Sequence, residues 1–168
     1  MTLMSTQNQK TIFITGSSSG FGRATAKLFA SKGWKVIATM RIPEKETELN
    51  NISAVALMAL DITNPKQIVS VAETVMASGA VDVVFNNAGY GLSGPLEGLT
   101  DEQIMRMVNT NILGAIRTTK AFVPYFREKR AGLFINTTSI GGLMTVPFNS
   151  TTRPNGRWKA GVRAWLLN

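Results

Sequence analysis

KTIFITGSSSGFG, residues 10–22, carries the sharpest change of texture in this 168-residue chain. KTIFIT is apolar and β-branched with little alternation, as in a strand buried on both faces. It stops at Gly16, and GSSSGFG then packs three glycines into seven residues. Beyond the glycines, Ala24, Leu28 and Phe29 fall on one helical face, and Gly33 marks the helix stop. A strand, a glycine loop and a helix in this order form the unit that holds a dinucleotide in a doubly wound sheet. In such a unit Gly16 permits a tight turn, Gly20 lets backbone approach a pyrophosphate, and Gly22 lets helix and strand pack closely. The helix N-terminus then offers unpaired N–H groups and the positive end of its dipole to the phosphates.

The same alternation continues outward. WKVIATM (34–40), AVALMAL (54–60), VDVVFN (81–86) and GLFINTTS (132–139) are further apolar, strand-like runs. Asn64-Pro65 is a helix start, and Ile68, Val71, Ala72 and Val75 keep the spacing of an amphipathic helix behind it. A longer helical region from about Asp101 to Lys129 carries Ile112, Ala115, Ile116 and Thr119 on one side. Strands alternating with helices predict an α/β fold, a doubly wound parallel sheet of about five strands with both faces covered. The expected organisation is a polar arm at 1–9, a dinucleotide-binding domain at 10–150 and a distinct tail at 151–168.

Composition narrows the function. The chain has no cysteine and no histidine, which removes disulfides, thiolate zinc sites and the Ser-His and Cys-His nucleophile systems. The net charge of +8 raises the question of nucleic acid. Residues 151–168 hold four basic and no acidic residues, so half the excess sits there; the remaining charges are scattered, not gathered into a stripe with stacking aromatics. No nucleic-acid partner is expected. The opening MTLMSTQNQK is too polar for a signal peptide and no apolar run is long enough to span a bilayer, so a cytoplasmic protein without a membrane partner is expected.

The glycine spacing is G-x-x-x-G-x-G, not the G-x-G-x-x-G of the common Rossmann fingerprint. Together with four later positions it resembles the short-chain dehydrogenase/reductase family. Asp61 in LDIT follows the third strand, Asn86-Asn87-Ala88-Gly89 follows the fourth, Asn111 lies in NILG, and Ser139 in TTSIGG follows the fifth. The resemblance implies an NAD(P)-binding Rossmann domain and an oxidoreductase that interconverts an alcohol and a carbonyl by hydride transfer. It implies cofactor contacts from Gly16, Ser18, Gly20, Phe21, Gly22, Asp61, Ile62, Asn87, Ala88 and Gly89. It also implies a catalytic serine at Ser139, a water-holding Asn111, a small-molecule alcohol or carbonyl substrate, and a homo-oligomer for the intact enzyme.

The end of the second strand bears on the cofactor. An NAD enzyme usually carries a carboxylate there for the ribose 2′-hydroxyl, whereas an arginine suits a 2′-phosphate. Met40 stands at that position and Arg41 follows, so NADP is expected over NAD, with Arg23 as a second candidate contact. The alternative for Arg41 is an ordinary surface arginine near Glu44 and Glu46.

The family's proton donor is a tyrosine with a lysine four residues later on the same helix, about a dozen residues after the serine. The only tyrosines here, Tyr90 and Tyr125, precede Ser139; Thr152 and Gly156 stand about where the pair belongs. The tail beginning at Thr151 holds two of the three tryptophans and keeps neither helical nor strand periodicity. The codon string TAC CAC GCG ACC AAA TGG GCG GTG GAA GGC encodes Tyr-His-Ala-Thr-Lys-Trp-Ala-Val-Glu-Gly, which fits the family's active-site helix. Read one base later it encodes Thr-Thr-Arg-Pro-Asn-Gly-Arg-Trp-Lys-Ala, the sequence from Thr151 to Ala160. A frame slip near residues 149–151 is therefore expected, giving a C-terminally truncated family member whose fifth strand is an uncovered edge and whose fold is marginally stable. Two functions follow: an NADP-dependent oxidoreductase that is inactive in this chain, or a non-catalytic NADP-binding sensor or partner subunit.

Overall fold

The computed structural model describes residues 9–79, 81–139 and 163–166. Strand β1 (Thr11–Thr15) is buried along its whole length, as its apolar run demands. It lies between β2 (Lys35–Met40) and β4 (Val83–Asn86), with β3 (Val55–Ala59) outside β2 and β5 (Leu133–Asn136) outside β4. All four pairings are parallel, and Phe13 faces Ile37 on one side and Val84 on the other. The order 3-2-1-4-5 is that of a doubly wound sheet, so the fold class expected from the sequence is the one observed.

Alternation along the strands divides the core into two layers. Ile12, Ile14, Val36, Ala38, Val83 and Phe85 point toward α1 (Gly20–Ser31) and Leu49. Phe13, Val84 and Phe134 point the other way, against α2 (Pro65–Ser78) and α4 (Ala115–Lys129). In that second layer Phe122 and Phe126 are wholly buried, each contributing roughly 2–3 kcal/mol of transfer free energy. In α2, Ile68, Val71, Ala72 and Val75 are the buried face, as their spacing predicts.

Two helical faces differ from the sequence expectation. In α1 the inward positions are Gly22 and Ala26, with Phe29 and Ala30 beside them, while Ala24 and Leu28 are exposed. Close approach of a helix to a sheet favours small side chains at the contact, so the smaller residues won the interior over the larger leucine. After α3 (Asp101–Val108), the segment Asn109–Gly114 is π-helical before α4 begins. The wider turn shifts the phase of everything after it. The buried set is therefore Met107, Gly114, Thr118, Phe122 and Phe126, while Ile116 is exposed and Ile112, Ala115 and Thr119 are only partly covered.

The sheet also has a sixth strand, which the sequence reading lacked. β6 (Arg163–Leu166) pairs antiparallel with β5, setting Leu133 opposite Leu166. The expectation that β5 ends the sheet as an uncovered edge is thereby overturned. A ladder is built from backbone groups, so a short tail segment can add to an open edge whatever its origin. Residues 1–8, Thr152 and Gly156 lie outside the described residues. Among the described residues no helix is long and apolar enough to cross a membrane.

Candidate cofactor and active site

Parallel strands all end on the same side, and the loops there carry almost every residue singled out in the sequence. The chain runs from β1 outward through β2 and β3, and through β4 and β5 in the opposite direction. The crevice of a doubly wound sheet opens at this point of reversal, between the ends of β1 and β4.

Gly16, at φ +69°, turns the chain off β1, and a Cβ on it would sit 2.7 Å from the Cα of Ala88. A Cβ on Gly22 would overlap the carbonyl oxygen of Gly16 and lie 2.5 Å from Asn87 Nδ2. Gly20, at φ +53°, has open space around its missing side chain. The first and third glycines are thus packing requirements, and the second is the open one. Asn87 fastens the two loops: its Nδ2 donates to the carbonyls of Thr15 and Gly16, both at 3.0 Å.

Thr15 was not singled out from the sequence, yet it organises the junction. Its buried hydroxyl oxygen accepts from the amides of Asn87 and Ala88, each at 3.0 Å. The available signal was a hydroxyl at the end of a doubly buried strand, since a buried polar group needs partners.

Helix α1 begins without help. Ser19 makes no side-chain cap and the first turn holds no acid. By contrast, Asn64 accepts from Lys66 and Gln67 at the head of α2, and Thr100 and Gln103 form a capping box on α3. The first-turn amides of α1 thus have no side-chain cap and could meet an anion; Phe21 is 78% exposed at the same helix end and Ser18 is exposed in the loop.

At the end of β2, Arg41 is exposed and makes no ion pair among the described residues. Glu46 is not its partner. That carboxylate is buried and pairs with Arg23 at 3.1 Å. Asp61, beyond β3, accepts from the Thr63 hydroxyl at 2.7 Å and the Thr63 amide at 2.8 Å. The Thr63 hydroxyl and amide hold its carboxyl below the usual carboxylate range, and the Arg41 charge adds to them against partial burial. Ile62 turns inward and packs on Gly114, where a Cβ would lie 2.6 Å from its Cγ1.

Asn111 sits in the π-helical segment, and its amide clasps the loop after β4. Its Oδ1 accepts from the Tyr90 amide at 3.0 Å, and its Nδ2 donates to the Tyr90 carbonyl at 2.8 Å. Gly89 lies against it, with space for a Cβ only 3.2 Å from Asn111 Oδ1. π-Turns concentrate at functional sites, and this one joins Asn111, Gly89 and Ile62 in one contact set. Ser139 is exposed three residues past β5, on the strand side shared with the glycine loop.

This combination of sheet order, glycine loop, uncapped helix and β4 turn is that of the doubly wound, dinucleotide-binding fold class. Residues 10–151 match the family model described as short chain dehydrogenase, and the chain belongs to that family of oxidoreductases. It is 40% identical over 138 residues to a 3-ketodihydrosphingosine reductase of Bacteroides thetaiotaomicron, a match covering 82% of this chain and 49% of that protein. It is 34% identical over 149 residues to human 17-beta-hydroxysteroid dehydrogenase type 1, covering 82% and 45%. Among solved structures, ElxO with NADP bound superposes with a TM-score of 0.78 at 30% identity, covering 83% of this chain and 59% of that one. The chain spans about half the length of the curated relatives it matches.

Proposed function

We propose that this chain binds NADP(H) in preference to NAD(H), through a site inherited from an alcohol–carbonyl oxidoreductase, and that it turns over little or no substrate. The observation that carries this is the joined pair of loops at the ends of β1 and β4, with α1 uncapped above them and Arg41 unpaired beside Asp61. The donor set fits the group: backbone amides and a helix dipole for the pyrophosphate, and a planar guanidinium for the 2′-phosphate. That ElxO is known with NADP bound supports the same reading.

When bound, a nicotinamide dinucleotide supplies or accepts the hydride. The chain's own part is to hold it with Gly16, Ser18, Gly20, Phe21, Gly22, Arg41, Asp61, Ile62, Asn87, Ala88 and Gly89. Ser139 donates a hydrogen bond to the substrate oxygen, and Asn111 fixes the loop beside it and holds a water for the proton relay. A tyrosine of ordinary pKa about 10 needs a neighbouring cation to work near neutrality. Neither member of that pair occurs after Ser139 at the family's spacing. A cofactor loop set without its proton donor favours, as a second reading, an NADP-binding sensor or partner subunit.

Fluorescence titration of the whole chain is expected to show NADPH binding tighter than NADH. Arg41→Met should weaken NADPH about tenfold and leave NADH unchanged. Oxidation of NADPH with a panel of aldehydes and ketones should stay at background; clear turnover would refute the inactive reading. A cooperative melt with ligand-dependent stabilisation would support the sensor over a broken enzyme.

The absent pair itself we attribute to a frame slip near residues 149–151, on the strength of the codon arithmetic. Thr151 permits Tyr, His, Asn or Asp in the other frame and Asn155 permits Lys, Glu or Gln, but Trp158-Lys159 forces a glutamate and Pro154 forces Ser, Thr, Ala or Pro. Sequencing the encoding DNA tests this: an alternative frame that opens into Tyr-x-x-x-Lys supports it, and a closed frame ends it.

A further inference from the structure

We propose that Arg23 is a positioning residue of the phosphate loop and not a ligand of the 2′-phosphate, an inference that rests on the NADP reading above. Its guanidinium donates to the carbonyl of Ser18 in the glycine loop, to Glu46 at 3.1 Å and to Glu48. Glu48 also takes Lys27. The Arg23 side chain is 31% exposed and that of Glu46 only 1%.

Glu46 cannot swing away. Its Oε1 accepts from the amides of Glu48 at 2.9 Å and Leu49 at 3.1 Å, at the start of a short 3-10 turn. Burial would raise its pKa, but the Leu49 and Glu48 amides and the Arg23 charge outweigh burial and keep it ionised. Arg23 therefore already faces two carboxylates. A guanidinium so neutralised is a poor receptor for a further dianion, whereas Arg41 makes no ion pair among the described residues.

What Arg23 does reach is the loop. A trans peptide points its C=O and N–H in opposite directions, so drawing the Ser18 carbonyl toward Arg23 turns the Ser19 amide the other way. One guanidinium thus sets a loop peptide and ties it to the β2–β3 connection that follows Arg41. Its loss should be felt by the pyrophosphate, which NADPH and NADH share, and not by the 2′-phosphate.

The test is titration of the full chain and its variants with NADPH, NADH and adenosine 2′-monophosphate, which reports only the adenine and 2′-phosphate end. Arg23→Met is expected to weaken NADPH and NADH by the same factor, about tenfold, and to leave adenosine 2′-monophosphate unchanged. Arg23→Lys should recover part of the loss, and Glu46→Gln should reproduce part of it with the same unchanged NADPH/NADH ratio. Arg41→Met supplies the contrast, losing NADPH and adenosine 2′-monophosphate together. If Arg23→Met fails to melt cooperatively, the ratio in Arg23→Lys and Glu46→Gln decides. A loss confined to NADPH and adenosine 2′-monophosphate, or no loss at all, overturns the inference. A wild-type chain that binds neither dinucleotide sinks the cofactor reading itself, and the inference with it.

Discussion

Gly22→Ala is expected to cost the fold about 3 kcal/mol and to abolish dinucleotide binding. The added Cβ would overlap the carbonyl oxygen of Gly16 and crowd Asn87 Nδ2 at 2.5 Å. Neither neighbour can step aside cheaply. One is backbone at the turn off β1, and the other is held by two hydrogen bonds to the carbonyls of Thr15 and Gly16. The natural control is Gly20→Ala, two residues earlier, where nothing lies within 4 Å and only the left-handed backbone at φ +53° resists a side chain. That change should cost about 1 kcal/mol and leave the melt cooperative while still weakening the cofactor. Urea denaturation separates the two: similar midpoints for both variants would mean that Gly22 is not a packing contact between α1 and the β1 turn.

How much of this was legible beforehand depended on which physics set each feature. The strands and α2 were legible because burial on fixed faces writes a period into the sequence, as in Ile68, Val71, Ala72 and Val75. In α1, hydrophobicity points to Leu28, whereas the close helix–sheet approach is governed by size and puts Gly22 and Ala26 inside. The buried face across Asp101–Lys129 could not be read at all with one period, since Asn109–Gly114 breaks it midway. The glycine loop was visible from spacing. The fate of Arg23 was not, because its partners Glu46 and Glu48 lie 23 and 25 residues away and meet it only after β2 returns along β1. The sixth strand was unreadable for a different reason: its pairing uses backbone that any sequence supplies.

Asn87→Asp is expected to make stability depend on pH in a direction opposite to that of an ordinary paired carboxylate. The orientation of the Asn87 amide is fixed by its surroundings. The atom facing the carbonyls of Thr15 and Gly16, 3.0 Å from each, has to be a donor, and the Thr137 hydroxyl approaches the other side at 3.5 Å. An aspartate of the same shape puts a second oxygen against those carbonyls. Ionised, it donates nothing and repels both; protonated, it can still donate to one. Its folded pKa is therefore raised above the unfolded value of about 3.9. A group with a raised folded pKa keeps its full contribution below the unfolded pKa and loses it as pH climbs through the folded one. The variant should then lie closest to the wild type below about pH 4 and fall about 2 kcal/mol below it by pH 7, the cost of unmaking a half-buried hydrogen-bonded junction. Urea melts of both proteins at several pH values measure the gap directly. A gap that is constant, or that widens toward acid, would show that Asn87 does not tie β1 to β4 in the way its two hydrogen bonds imply.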